Sequence, residues 1–447
     1  MSVLFGATAQ TSHITLDDAL LLAFERNPAI AASELAEQAA HRERQAAVGL
    51  FMPQVSIKGT YAHFNKDIKI DLNPMISSFL PILGEGLTSL GLDFSYPLQR
   101  RNTAFLGGDV VLPIFTGGRI WTANQAAKIN EQRVQEQSRQ VRGALIVEVV
   151  ERYFGVELAR QAVAIREEAV MVVKHHLQNV TVAEREGMAV ESERLYAEFR
   201  LAEAERDLRR AQLQLQTAQQ ALMTSLGAES IPLPTTPMFI LSTIEPLDYF
   251  VVMAEGRNPQ LGEVEKMREL ARMNLRLHRA EFFPEVAAMG GMIFCDHQLS
   301  SLAPRAAVGV GLNFKLFDGF NREYRYSAAR LQLRRVSALE EKAVRDIALL
   351  IEKLYNGVES VLSTIPAVER SERFAEEYLR SKQSAYSAGM ATTTDVVDAT
   401  LSLSRAKLER VEIAYQFDVA LARLLEASGL WDKFLDYLHS QGAKSIF

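Results

Sequence analysis

Ala307-Val308-Gly309-Val310-Gly311-Leu312-Asn313-Phe314-Lys315-Leu316 decides the fold class of this chain. Val308, Val310, Leu312, Phe314 and Leu316 are apolar, and the residues between them are small or polar. A period of two marks a strand whose side chains alternate between faces. One face here is greasy and the other is thin or wet. Residues 285–295 read as a companion strand with weaker alternation, and 306–316 gives the bounds of the first. Residues 54–65 form another, with Val55, Ile57 and Tyr61 on one side and Ser56, Lys58 and Thr60 on the other. Residues 104–115 form the fourth. Segments of about 10 residues suit a tilted barrel strand crossing a bilayer. Four strands cannot close a barrel, since the smallest closed membrane barrels use about eight. If these strands cross a membrane, several chains share one barrel, and the protein is an obligate oligomer.

The strands come in two pairs because the chain repeats itself. Leu16-Asp17 returns as Leu247-Asp248, Arg26-Asn27-Pro28 as Arg257-Asn258-Pro259, and Phe51-Met52-Pro53-Gln54-Val55 as Phe282-Phe283-Pro284-Glu285-Val286, all at an offset of 231. Further on, Phe115-Thr116-Gly117 returns as Phe317-Asp318-Gly319 and Gly187-Met188 as Gly389-Met390, at an offset of 202. Two offsets, each held over several motifs, mean a duplicated unit of about 200 residues with one insertion in the first copy. The offsets differ by 29 residues, and the extra segment falls near 73–101. It contains Pro74, Phe79-Leu80-Pro81, Gly84, Gly86 and Tyr96. That is apolar for an exposed loop. It reads as a flap over the barrel mouth, a segment lying on lipid, or a plain long loop.

Each copy reads helix, strand, loop, strand, very long helix, sharp break, long helix. The first repeat spans 14–227 and the second 247–427. Residues 16–50 carry one helical period, opened by Thr15-x-x-Asp18 in the manner of a capping box and stopped by Pro53. Residues 120–186 and 320–387 are the very long helices, and 190–226 and 393–427 the returning ones. A helix of that greater length spans roughly 100 Å at 1.5 Å per residue. No globular core needs such a span, so it packs as a coiled coil or walls something tall. Leu201, Leu208, Leu215 and Leu222 recur every seven residues, with Ala204, Ala211 and Ala218 between them. This is a heptad seam of large and small side chains. Residues 228–246 hold Pro232, Pro234, Pro237 and Pro246 and read as a linker between the copies. The stretch 428–447, with Trp431, Phe434 and Tyr437, either packs on the helices or is mobile.

Bulk composition excludes more than it identifies. Of the 447 residues 48% are hydrophobic and 23% charged, as in ordinary folded proteins. A net charge of −6 argues against a nucleic-acid partner, which wants a basic face. The single cysteine, Cys295, cannot form a disulfide within the chain. No run of about 18 apolar residues offers a transmembrane helix. Val3-Leu4-Phe5 before Ala7-Thr8-Ala9 has the small-x-small form cut by signal peptidase. Residues 1–13 therefore read as a signal remnant or as a disordered start.

Helix, strand pair and helical hairpin, all duplicated, resemble the TolC-type outer-membrane efflux proteins, the outer-membrane factor family. The likeness runs from Ile14 to about Leu430. Its most specific motif is Ala385-Tyr386-Ser387-Ala388-Gly389 followed by Thr394-Asp395-Val396-Val397-Asp398-Ala399, similar to the family's periplasmic turn. The first copy has the looser Glu186-Gly187-Met188-Ala189-Val190-Glu191-Ser192-Glu193. The Asn-Pro and Phe-x-Pro motifs near the helix-to-strand corners also look like the family. The resemblance implies a homotrimer whose twelve strands close a barrel in the outer membrane, with an α-helical tunnel across the periplasm. It implies a channel without chemistry, fed by an inner-membrane pump of the RND or ABC type through a periplasmic adaptor protein.

The resemblance also suggests sites. Asp395 and Asp398 match the acidic positions that narrow the tunnel. They lie three apart, on one helix face. Threefold symmetry would turn each into a ring that favours cations. Against this, Asp395 also reads as an N-terminal helix residue held by the dipole. Tyr386 and Glu193 match positions that hold neighbouring hairpins together. Where TolC-type chains carry a basic residue two after the glycine, this chain has Ala391, so a salt-bridge lock of that kind is not expected. Gly187-Met188 and Gly389-Met390 are the expected adaptor contacts, since glycine permits a left-handed turn and methionine gives an adaptable apolar tip. The same glycines also serve to end helices.

Other constellations carry little. His175-His176 point to different helix faces and lack an i,i+4 partner. Cys295-Asp296-His297 lacks ligand spacing. No HExxH, phosphate-cradling Gly-Lys-Thr/Ser loop or Gly-x-Ser-x-Gly elbow is present. No enzyme, cofactor or metal site is expected. Two competing readings are a soluble coiled-coil scaffold, which leaves the duplicated period-two segments unexplained, and a cytosolic enzyme with a helical domain.

Overall fold

The computed structural model describes residues 12–79, 95–228, 230–297 and 304–445. The stretch 1–13, read as a signal remnant or a disordered start, falls outside them up to residue 11, while Ser12 and His13 lie in a strand. The described residues form two compact units. One contains residues 40–131 and 268–335, the other the remainder.

The first unit is built on a four-stranded antiparallel sheet. Its strands are β2 (Gln54–His63), β5 (Asn102–Phe115), β8 (Glu285–His297) and β9 (Ala306–Asn313), in the order β2-β5-β8-β9. Both copies contribute to it. β5 of the first copy pairs with β8 of the second, from Ala104 opposite His297 to Phe115 opposite Val286. β2 and β9 are left as open edges within the chain. The greasy face is bare: Val308, Val310 and Leu312 are 92%, 69% and 71% exposed. β9 ends at Asn313 rather than at Leu316. Leu316 and Phe317 lie exposed beyond it, with the Phe317 ring edge-on to Phe320.

The insertion is partly ordered. β3 (Ile68–Asp71) pairs antiparallel with β4 (Ser95–Gln99), and α3 (Asn73–Phe79) follows β3. The plain-loop reading of 73–101 therefore fails at its ends, while residues 80–94 lie outside the described residues. The strand-to-helix corners differ between the copies. Gly118 in the first copy has φ 86, and its counterpart Phe320 in the second has φ 63. Left-handed backbone is routine for glycine and costly for a bulky residue. Phe320 is the one non-glycine residue with positive φ among those described, and the residue is 58% exposed.

The second unit holds the large core. The very long helices are α4 (Arg119–Arg185) and α8 (Asn321–Ser387), and the returning ones α5 (Glu191–Leu226) and α9 (Thr393–Ala427). The heptad reading of α5 agrees with burial: Ala204, Ala211 and Leu222 are buried. Tyr153, Phe154, Phe250, Phe417 and Phe434 are fully buried in the same cluster. Phe239 lies edge-on to Phe417 and to Phe434, with ring centroids 5.9 Å apart in each pair.

The helix expected over 16–50 is two helices, α1 (Leu16–Arg26) and α2 (Pro28–Gly49). The cause is the residue before proline, which steric contact with the proline ring keeps out of the α region. Asn27 accordingly has φ −72 and ψ 123. The second copy breaks identically at Asn258, between α6 (Leu247–Arg257) and α7 (Pro259–Ala280). The Asn-Pro motif is thus a mid-helix joint and does not mark a helix-to-strand corner. Each joint is clamped by the end of the returning helix of its own copy. Asn27 Nδ2 donates to the Ser225 carbonyl at 3.3 Å, and Asn258 Nδ2 to the Ala427 carbonyl at 2.7 Å. Gly227 and Gly429, both left-handed, press on Arg26 and Arg257, where a Cβ would meet atoms at 3.2 and 2.5 Å. The two sequence offsets, 231 and 202, meet in this contact.

The proline-rich segment is more than a linker. β6 (Pro232–Pro234) runs parallel to β1 (Ser12–Ile14), and β7 (Phe239–Ile240) pairs with β10 (Lys444–Ser445). The Tyr153 hydroxyl donates to the Ile14 carbonyl at 2.8 Å and accepts from the Thr235 and Thr236 amides. The C-terminal stretch packs, with Phe434 of α10 (Phe434–Leu438) in the core.

Candidate functional site: the helical hairpin tips

The two hairpins end in the same turn. Gly187 has φ 75 and Gly389 φ 73. In each copy the methionine amide reaches back to the helix, Met188 to the Ala183 carbonyl and Met390 to the Ala385 carbonyl, both at 2.8 Å. That pattern is a Schellman cap, which satisfies the last carbonyls of the incoming helix. It also leaves the methionines bare, 72% and 79% exposed. The helix-ending role of these glycines and the projection of an apolar tip are therefore one geometry.

The hairpins then differ. Thr392 caps α9 by a complete capping box with Asp395, where the first copy has Val190 and no side-chain cap. Asp395 Oδ1 also takes a hydrogen bond from Lys382 Nζ at 2.9 Å, across the two arms of the hairpin. The Lys382 ammonium and the Thr392 cap hold its carboxyl down to about 2. Within one chain Asp395 is thus bound to its own helix start. In the first copy the cross-arm pair is Arg194 with Glu184, at 2.8 Å. Glu193 makes no side-chain contact of this kind among the described residues.

Asp398 joins the two hairpins. Its Oδ1 accepts from Arg200 Nη2 at 2.7 Å and from the Tyr196 hydroxyl at 3.1 Å. Arg200 is mostly covered and is also paired with Glu203 at 2.7 Å. Tyr196 and Asp398 are equivalent positions, 202 residues apart. The hydrogen bond therefore links one position of the repeat to its own copy. A salt bridge between hairpins exists here, but its base is Arg200 on α5 and not a residue at 391.

Tyr386 makes a second link. Its ring stands edge-on to the His176 imidazole, with centroids 5.0 Å apart. His176 is buried, and its Nε2 bonds the Thr393 carbonyl at 3.1 Å. A carbonyl only accepts, so Nε2 carries the proton. Burial pushes the imidazole below its ordinary 6.5. The histidine weighed only as a metal ligand is thus a tie between α4 and the first turn of α9. Among the described residues no group of three or more His, Cys, Asp or Glu could hold a metal. Asp296, beside Cys295, is paired with Arg305 at 2.9 Å.

Known proteins match this arrangement. Residues 19–228 and 251–430 match the family described as outer membrane efflux protein. TolC of Escherichia coli, an outer membrane protein, is 25% identical over 199 residues, covering 41% of this chain and 40% of that one. AprF of Pseudomonas aeruginosa, an alkaline protease secretion protein, is 23% identical over 320 residues, covering 69% and 65%. The chain therefore spans less than two thirds of the length of either relative. The CmeC outer membrane channel of Campylobacter jejuni has the same fold, with a TM-score of 0.74 at 14% identity over 95% of this chain and 89% of that one. No helix of the described residues is long and apolar enough to cross a membrane. The chain, with its duplicated strand pairs and capped hairpins, belongs to the outer membrane efflux protein family.

Proposed function

We propose that three copies of this chain form an exit duct through the outer membrane, fed by an inner-membrane pump through a periplasmic adaptor. The single observation that carries this reading is the four-stranded sheet with both edges unpaired and one apolar face exposed. Lipid tolerates no unpaired backbone, so such a sheet must close with others. Three copies reach twelve strands, well above the minimum for a closed membrane barrel of about eight. A chain in water would leave the Val308–Leu312 face as an aggregation surface, which tells against the scaffold reading.

The hairpin tips act as the gate and as the adaptor contact. Arg200–Asp398, Tyr196–Asp398 and His176–Thr393 hold the two hairpins of a chain together. The exposed Met188 and Met390 offer apolar knobs to a partner. The deciding experiment is assembly and conductance. Protein purified in detergent should migrate as a trimer that heat dissociates, and should open ion-conducting pores in a planar bilayer. A monomer that stays dissolved without detergent would refute the duct.

A further inference from the structure

At the foot of the sheet lies an open cavity of about 420 Å³ lined by ten residues, of which four are basic. We propose that this cavity binds the oxyanion group of a solute inside the duct, a phosphate, sulfate or carboxylate, with Lys315 and Arg325 as its ligands. The inference rests on the duct reading for its setting, but the cavity itself is formed within one chain.

The charge count favours an anion. Three carboxylates line the cavity, and each is already held. Glu285 is paired with Arg119 at 2.6 Å and Asp318 with Arg322 at 3.1 Å, and Glu281 accepts a hydrogen bond from His278 Nδ1 at 3.1 Å. Arg322 is further occupied by the Glu281 and Leu316 carbonyls. Lys315 and Arg325 remain, with no partner among the described residues. Two unpaired cations facing one cavity repel each other, and an anion between them removes that cost. Asn313 and Asn321 add uncharged hydrogen-bonding groups to the same wall.

The face is fixed by register. Glu285 lies opposite Asn313, and Val286 opposite Leu312. Neighbouring residues on a strand point to opposite faces. The exposed apolar set Val308, Val310 and Leu312 defines the lipid side, so Glu285, Asn313 and the cavity they line fall on the side away from lipid. Solute in the duct reaches this cavity, and a bilayer headgroup does not. Threefold assembly would repeat it around the channel and give a basic belt.

Two measurements decide the matter. In detergent, the phosphorus resonance of inorganic phosphate should broaden saturably with wild-type protein. Lys315→Gln and Arg325→Gln should each weaken that binding about fivefold, the scale of one partly exposed charge contact. Because the cavity belongs to one chain, this readout holds whether or not the protein trimerises. In planar bilayers, wild-type pores should show a current reduced by phosphate at constant ionic strength, and Lys315→Glu with Arg325→Glu should shift the reversal potential toward cations and abolish the reduction. Absence of saturable phosphate binding by the wild-type chain would overturn the site. So would a conducting double variant with unchanged reversal potential. Absence of any pore would count against the duct alone, and the resonance measurement would still judge the cavity.

Discussion

Arg200 and Asp398 meet at 2.7 Å, one from the returning helix of each copy, and so stitch together two hairpins that the chain builds nearly 200 residues apart. Removing Arg200 leaves Asp398 without this counter-charge, whereas removing Asp398 leaves Arg200 still paired with Glu203. Arg200→Ala should raise the open probability of bilayer pores several-fold, and Asp398→Asn should do so less, because the amide still accepts from Tyr196. Single-channel recording on the two variants checks the order. Equal opening in both, or none, would mean that the pair does not restrain the hairpins.

Acid should loosen the other tie. His176 is neutral in the folded tip because burial lowers its pKa from 6.5. A lowered histidine contributes its stability fully above pH of about 6.5, and the contribution drains away as pH falls toward the folded value. Pores should therefore open more often at pH 5.5 than at 7.5. His176→Gln keeps a donor for the Thr393 carbonyl and should flatten that dependence. A variant with the wild-type pH profile would assign the effect to another group.

The two asparagine joints should rank by geometry. Asn258 is buried, donates to Ala427 at 2.7 Å and caps α7 by accepting from the Gln260 and Leu261 amides. Asn258→Ala loses a buried hydrogen bond and a cap, together about 2–3 kcal/mol. Asn27, with a 3.3 Å contact and one capping amide, from Ala29, should cost about 1 kcal/mol. Thermal unfolding of the two alanine variants in detergent tests the order.

The two faces of β9 should respond differently to polar substitution. Val308→Arg puts a cation on the apolar side and should cost about 2–4 kcal/mol if it sits near mid-bilayer. Gly309→Ser, where a Cβ meets nothing within 4 Å, should be neutral. Recovery of heat-dissociable trimer from membranes measures both. Equal tolerance would remove the lipid assignment of that face.

Much of this fold could be read from residue order because it is periodic. The alternation at Val308–Leu316, the heptads from Leu201 to Leu222 and the two repeat offsets each recur several times, so a local pattern carried them. Single contacts have no such signature. The break at Asn27 was signalled by Pro28, yet the helical period on both sides hid it. The pairings β1 with β6 and β7 with β10 join two- and three-residue segments from distant parts of the chain, too short for any period to show. Arg200 is one arginine among many on a wet helix face. Only the equivalence of Tyr196 with Asp398 could have pointed to it. Asp395 was legible as both a gate carboxylate and a helix start, and the capping box with Thr392 accounts for the second role within the chain.

Phe320 carries a consequence for how interchangeable the halves are. Its ring occupies a backbone twist that Gly118 reaches freely in the sister repeat. A chimera that used the first repeat twice would relax every corner and lose this aromatic from each. One that used the second twice would hold a bulky residue in left-handed backbone at both corners.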